Sequence, residues 1–458
     1  MGNFDPPVAG SAAPASDTLS LEGTDGDDTL KVTVNGPGQW TVDLNGIQLN
    51  VGAEIVALEF KGLEGKDSVV VTGSAGTEKV KLWPGRGTLT GEGYTVAISG
   101  SESITVRGGG GADVAVLYDN PDGKDSFRAY PEVARLSGDG YFNQVASFRY
   151  VNAVSTDGNE DTAGLYDDPN GDDVFKAWPD EARLYSESFY NRAVNFRYVT
   201  AFGTEGNKDV AAFFDNPEGN DVFKARPDLA ELYGDGYYNR AKSFSDVQAV
   251  ATEGNKDVAV LYDDPNGDDV FKAWPDLADL YGDGYYNRAK SFSYVQAVGT
   301  KGNKDVAVLY DSVGDDTFEA GPDQAKLFGG GYLNRAKSFG SVRAISRAGG
   351  VDVAHLYGSA GDDRFVARST FSKLSGDGFS NRAVSFEQVH AYAGDGNDLA
   401  VVYDAVLEAG LTQQPVSAEI ASIVWLYDIE TIRERSEADG GTSTTDAVDA
   451  IFTAYWQQ

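Results

Sequence analysis

Between Asp67 and Asp398 one block of residues recurs about every 48 positions. Marking each copy at the Asp of a D-V-A-like run gives Asp67, Asp113, Asp161, Asp209, Asp257, Asp305, Asp352 and a truncated Asp398, at intervals of 46, 48, 48, 48, 48, 47 and 46 residues. The fullest copy, DVAVLYDDPNGDDVFKAWPDLADLYGDGYYNRAKSFSYVQAVGTKGNK, runs from Asp257 to Lys304. Self-similarity at such a period constrains the fold more than any single motif, because repeats lengthen a protein by stacking and each unit buries its apolar face on the next.

Within a copy, short stretches of period-two alternation are separated by Gly, Asn, Asp and Pro, which predicts five or six strands and leaves no room for a long helix. In the D-V-F-K-A-W segment, Phe127, Phe175, Phe223, Phe271, Phe318 and Phe365 hold one position, and Ala129, Ala177, Ala225, Ala273, Ala320 and Ala367 the position two further on. The residues between them, Arg128, Lys176, Lys224, Lys272, Glu319 and Val366, mix charge signs and point to water. Further inward columns run through Leu117, Leu165, Phe213, Leu261, Leu309 and Leu356, through Leu136, Leu184, Leu232, Leu280, Leu327 and Leu374, and through Val151, Val199, Val247, Val295, Val342 and Val389. These columns predict an all-β protein: a parallel β-solenoid (β-helix), right-handed by the preference of parallel crossovers. With roughly 24 residues per three-sided coil, a copy is expected to make roughly two coils. Independent small sandwiches are the competing arrangement, disfavoured because 48 residues make a small core without a disulfide or metal.

The expected organisation is a flexible leader over 1–20, a degenerate N-terminal region of the solenoid over 21–111, regular repeats over 112–404, and a C-terminal capping segment over 405–458. The last includes a helix at DAVDAIFTAYW capped by Thr445. Lys plus Arg number 37 against 71 Asp plus Glu, a net charge of −34 that disfavours nucleic acid and suits divalent cations or basic partners. There is no cysteine, so neither disulfides nor thiolates contribute. No run of 18 apolar residues occurs, and MGNFDPPVAGSAAPASDTLS lacks the basic start and apolar stretch of a secretory signal, so a secreted form requires a signal outside this numbering.

One polar column, Asn143, Asn191, Asn239, Asn287, Asn334 and Asn381, is expected to form a structural ladder of stacked amides. The Arg that follows in most copies (Arg192, Arg240, Arg288, Arg335 and Arg382, with Gln144 once) is expected to pair with the acidic turns. Those turns are the candidate metal sites: Asp27 and Asp28, Asp172 and Asp173, Asp268 and Asp269, Asp315 and Asp316, and Asp362 and Asp363 each follow a Gly, and Asp125 and Asp221 hold the second place in variant turns. Asp395 and Asp398 belong to the related G-D-G-N-D turn. Here the sequence resembles the RTX calcium-binding nonapeptide repeat, which implies Ca²⁺ held by turn carboxylates and carbonyls, the hard oxygen donors that ion prefers. The register departs from that pattern: RTX turns recur at nine residues, whereas Asp305 to Asp316 is eleven, and Lys208 and Lys304 place a built-in cation beside a turn. The alternative is that Gly-Asp-Asp makes only a solvated turn.

A second candidate, a carbohydrate-binding strip, comprises Tyr130, Trp178 and Trp274 with Lys176, Lys224 and Lys272, interrupted by Arg226, Gly321 and Arg368. The inventory weighs against catalysis. His355 and His390, the two histidines, stand at outward strand positions, and the carboxylates recur in every copy where an active site needs one singular constellation. No nucleophile elbow, phosphate loop or zinc motif occurs.

The combination of D-V-A-x-L-Y-D, G-D-D-x-F-x-A, L-x-G-x-G-[YF], N-R-A-x-S-F and F-x-x-V-x-A resembles the tandem arrays of very large secreted proteins of planctomycete bacteria, over about Ser68 to Asp404. That resemblance implies a secreted or cell-surface location and no particular activity. The expected role is an extracellular structural, adhesive or self-assembling repeat protein, calcium-stabilised, whose partners are further copies of itself or an extracellular polysaccharide, with no membrane insertion. A carbohydrate-active β-helix enzyme, a lyase or epimerase, and a non-catalytic binder of acidic polysaccharide are the competing classes.

Overall fold

The computed structural model describes residues 17–156, 160–204, 208–252, 256–301, 304–403, 423–429 and 431–435. Every regular element among them is a β-strand, most of five or six residues. The strands lie in two compact units, one within Met1–Asp168 and Asp180–Val199, the other within Pro169–Pro179 and Thr200–Gln458. The expected C-terminal helix lies outside the described residues.

The copy from Asp257, in the second unit, shows how the sequence is folded. Its five strands are Val258–Tyr262, Val270–Ala273, Leu277–Gly282, Tyr285–Lys290 and Tyr294–Val298. The first pairs in parallel with the fifth and with Val222–Ala225 of the copy before. The second, third and fourth form an antiparallel meander in the other sheet. The second then pairs in parallel with Val306–Tyr310 of the copy after, and the fourth with Asp246–Val250 of the copy before. Stacked parallel coils therefore define a β-solenoid, as the apolar columns predict.

The winding within a copy differs from the expected two three-sided coils. The chain passes between the sheets after the first, fourth and fifth strands, three crossings that make one and a half turns of a two-sided coil. Because three is odd, successive copies exchange sheets, and equivalent strands recur in one sheet only every second copy. The Asp-Gly turn between third and fourth strands explains the meander: Gly284 sits at φ 77°, which a glycine adopts without steric cost.

The inward columns are as expected. Phe271, Leu280, Leu261 and Ala273 are fully buried and Val295 is 3 % exposed, with the equivalent residues of other copies matching them. Phe271 meets Phe339 of the copy after, with ring centroids 6.0 Å apart, and Phe223 meets Phe292 in the same way at 5.9 Å. Burying each such ring contributes roughly 1.5–3 kcal/mol.

The asparagine column is structural, but its amides do not bond one another. Asn239, Asn287 and Asn334 are buried, and each Nδ2 donates to the carbonyl of the residue just after the second strand of the copy before: Trp178 at 2.8 Å, Arg226 at 3.1 Å and Trp274 at 2.7 Å. Since successive copies exchange sheets, neighbouring asparagines cannot stack. The arginines likewise find partners other than the turns. Arg240 pairs with Glu231 and Arg288 with Asp279, each on the adjacent third strand.

In the first unit the same strand order begins earlier than expected. Thr18–Glu22, whose first three residues fall in the presumed leader, pairs in parallel with Ala57–Lys61, the alternation of T-L-S-L-E suiting a half-buried strand. Ser68–Thr72, Lys79–Trp83, Arg86–Gly91, Tyr94–Ser99 and Ser103–Arg107 reproduce the five strands of a regular copy. In the second unit, Ile423–Tyr427 and Thr431–Arg435 add two parallel strands beyond Gln388–Tyr392 and Leu399–Tyr403.

Candidate metal centres

The Gly-Asp-Asp turns separate their two aspartates. The first faces solvent: Asp27, Asp172, Asp268, Asp315, Asp362 and, in the last turn, Asp395 are exposed. Five of these are nonetheless engaged, each Oδ1 accepting a backbone N–H from the next coil: Lys66 on Asp27, Lys208 on Asp172, Lys304 on Asp268, Val351 on Asp315 and Asn397 on Asp362. The lysines that upset the RTX register act there through their main chain.

The second aspartate turns inward. Asp28, Asp125, Asp173, Asp221, Asp269, Asp316 and Asp363 are at most 3 % exposed, and so is Asp398. Asp269 shows the pattern: Oδ2 accepts the Asp264 N–H at 3.1 Å, closing the turn, and Oδ1 accepts the Tyr285 hydroxyl at 2.8 Å. The carboxylate occupies the space beside Gly282, where a Cβ would lie 1.8 Å from Oδ1. That contact accounts for glycine at this place in most copies. Burial, above all, and nearby carboxylates push Asp269 above the ordinary range, while the Tyr285 and Asp264 hydrogen bonds pull against them. The Tyr285 hydroxyl in turn is pushed up by burial and by the same carboxylate.

Two further aspartates complete the cluster in the central copies, and reading the turns alone missed them. One opens the D-V-A strand: Asp257 and Asp305 each accept, through Oδ1, the backbone N–H of Asp221 and Asp269 at 2.7 and 2.9 Å. The other ends the same strand: Asp215 accepts the Thr252 N–H at 2.6 Å and the Thr252 hydroxyl at 2.9 Å, and Asp263 holds Thr300 in the same way. The clusters Asp119–Asp125–Asp161, Asp215–Asp221–Asp257 and Asp263–Asp269–Asp305 are wholly buried, with one oxygen of each member within 4.8 Å of the others. Their signal in the sequence was an aspartate at both ends of an apolar strand in five successive copies, from Asp113 and Asp119 to Asp305 and Asp311, where solvent exposure alone would let the residue type drift.

Three carboxylates at such a distance are strongly repulsive unless a proton or a cation lies among them. Burial, then nearby aspartates, pushes Asp257 up to about 6 and Asp305 up to about 7. Among those aspartates the foremost are members of the same cluster, Asp215 for Asp257 and Asp263 for Asp305. The donor set is all hard oxygen, and the oxygens lie close enough to one another for a single ion to touch all three carboxylates. These buried aspartates are positioned to hold a metal ion.

The aromatic strip is divided and largely stacked on the protein itself. In the second unit, Trp178 and Trp274 follow strands of one sheet, together with Lys176 and Lys272, whereas Lys224 lies in the other sheet. Trp178 stacks on Phe214 and Trp274 on Tyr310, both with centroids 4.7 Å apart; in the first unit Tyr130 stacks on Tyr166 at 4.2 Å. The Lys224 and Lys272 ammonium groups lie over the rings of Tyr233 and Tyr281 at 5.3 and 5.5 Å. Each of these three rings therefore has at most one face for a sugar. His355 and His390 are adjacent in register and stack at 4.9 Å, and His390 stacks on Trp425 at 4.3 Å.

No family model, curated protein or solved structure matches this chain. No helix among the described residues is long and apolar enough to cross a membrane.

Proposed function

We propose that this chain is an extracellular or cell-surface structural repeat protein, serving as a scaffold, adhesive or self-assembling array and stabilised by calcium bound among its buried aspartates. The observation that carries this reading is repetition: the same carboxylate cluster recurs in the central copies, and the same apolar columns run through nearly all of them. Repetition of this kind suits stiffness, since the stacked coils contribute in similar ways. The resemblance to secreted planctomycete arrays supports a place outside the cell, where calcium is abundant.

The role is tested by locating the protein on intact cells of its source, through antibody labelling and shaving with a protease, and by sedimentation of purified chain over a range of concentrations with calcium. Surface labelling, together with assemblies that grow with concentration, is the expected result. Labelling only after lysis would contradict the location, and a concentration-independent monomer that binds neither cells nor polysaccharide would contradict the role.

A further inference from the structure

We infer that the clusters Asp215–Asp221–Asp257 and Asp263–Asp269–Asp305 each bind one divalent cation, calcium in preference to magnesium, in the protein interior, and that the exposed first aspartates of the Gly-Asp-Asp turns are not ligands. This inference rests on the calcium-stabilised part of the proposed function and assigns it to particular atoms.

The cluster geometry is one observation, and the second is independent of it. Asp257 and Asp305 are 1 % and 0 % exposed, and the Oδ2 atom of each is buried without a hydrogen-bond partner, while Oδ1 is held by the backbone. Leaving a buried carboxylate oxygen unmatched costs on the order of 1–3 kcal/mol, more when it is charged. A cation among the three carboxylates removes that cost and the mutual repulsion together.

The chain contains its own control. In the cluster Asp119–Asp125–Asp161 the equivalent oxygen, Oδ2 of Asp161, accepts the Ser155 hydroxyl at 2.5 Å, and in a later copy Ser346 does the same for Asp352. The residue at that corner is Ala251 beside Asp257 and Gly299 beside Asp305, neither of which has a donor to offer. Where serine is present the protein satisfies the oxygen itself; where it is absent the oxygen is left for an ion. The carboxylate oxygens lie close enough to meet on one ion, and a buried site favours Ca²⁺ over Mg²⁺, which dehydrates reluctantly and keeps several waters. Water supplies the remaining ligands of a six- to eight-coordinate shell.

The test is the calcium stoichiometry of the full chain at pH 8, by equilibrium dialysis and calorimetry after chelator treatment, with magnesium as control. The wild type is expected to bind at least two calcium ions in preference to magnesium. Ala251→Ser, which adds a hydroxyl where the chain tolerates one in Ser155, should bind one ion fewer. Ser155→Ala, which frees Asp161 Oδ2, should bind one more. Asp268→Asn should bind as the wild type does, and circular dichroism verifies that all four fold. Unchanged stoichiometry in Ala251→Ser and Ser155→Ala with loss in Asp268→Asn would move the ions to the exposed turns and overturn this inference alone. No saturable calcium binding by any variant would overturn both the inference and the calcium-stabilised part of the proposed function.

Discussion

At the residue scale the aspartates do three separate jobs that one-letter code makes look alike. Asp268 ties a surface turn to the next coil, Asp269 closes the turn from inside, and Asp257 and Asp305 join coils through backbone N–H groups. The turn motif was legible in the sequence, but the cluster was not, because its members are drawn together across 36 residues, as Asp221 and Asp257 are, instead of across the nine of an RTX site. Only the register of the coils reveals such a distance. The pH dependence follows from the same groups. Folding raises Asp257 to about 6 and Asp305 to about 7 from an ordinary value near 3.8, so between those limits the folded chain holds more protons than the unfolded one. Their contribution to stability is therefore complete below about pH 4 and lost as pH rises through 6–7. Urea unfolding in EGTA should accordingly give a higher midpoint at pH 5 than at pH 8, and the gap should narrow when calcium is added. Gly282→Ala tests the space beside Asp269: a Cβ 1.8 Å from Oδ1 must displace the carboxylate, and a loss of about 2–4 kcal/mol in urea unfolding is expected, with weaker calcium binding.

At the scale of the element, the strand columns were readable because period-two alternation and burial are the same fact seen twice: Phe271 and Ala273 are buried while Lys272 between them is half-exposed. The path of the chain was not readable, since a parallel strand and the middle strand of a meander share one alternation. Leu277–Gly282 runs antiparallel to both neighbours, yet its pattern matches that of Tyr294–Val298, which is parallel to both of its own. Asn287 was identified as structural, but its partner, the Arg226 carbonyl 61 residues away, depends on that path. Asn287→Ala removes the donor and leaves the buried carbonyl unmatched, so a loss of about 1–3 kcal/mol is expected from thermal or urea unfolding. Phe271→Ala, which opens a cavity between two copies, should cost about 3–5 kcal/mol by the same measurement.

At the scale of the whole molecule, the exchange of sheets makes successive copies within the second unit interchangeable in their strand pairing. Excising Asp257–Lys304 should therefore bring Val306–Tyr310 into the pairing that Val258–Tyr262 makes with Val222–Ala225, and Asn334 onto the Arg226 carbonyl. The shortened chain is expected to keep its strand content by circular dichroism and to unfold in urea with an m-value lower by roughly a tenth, in proportion to the surface removed. Collapse of the shortened chain would mean that copies are not interchangeable. A net charge of −34 opposes compaction throughout, and a cation among the buried carboxylates would reduce it where it is most costly.

The most direct measurement is a calorimetric melt of the full chain in EGTA, in millimolar CaCl₂ and in millimolar MgCl₂. Ions that bind only the folded chain stabilise it by about 2.7 kcal/mol per site at a hundred times their dissociation constant, so two or more interior sites predict a melting temperature raised by calcium far more than by magnesium. Superimposable melts in all three solutions would contradict the account, leaving the aspartate clusters as hydrogen-bonded corners neutralised by protons.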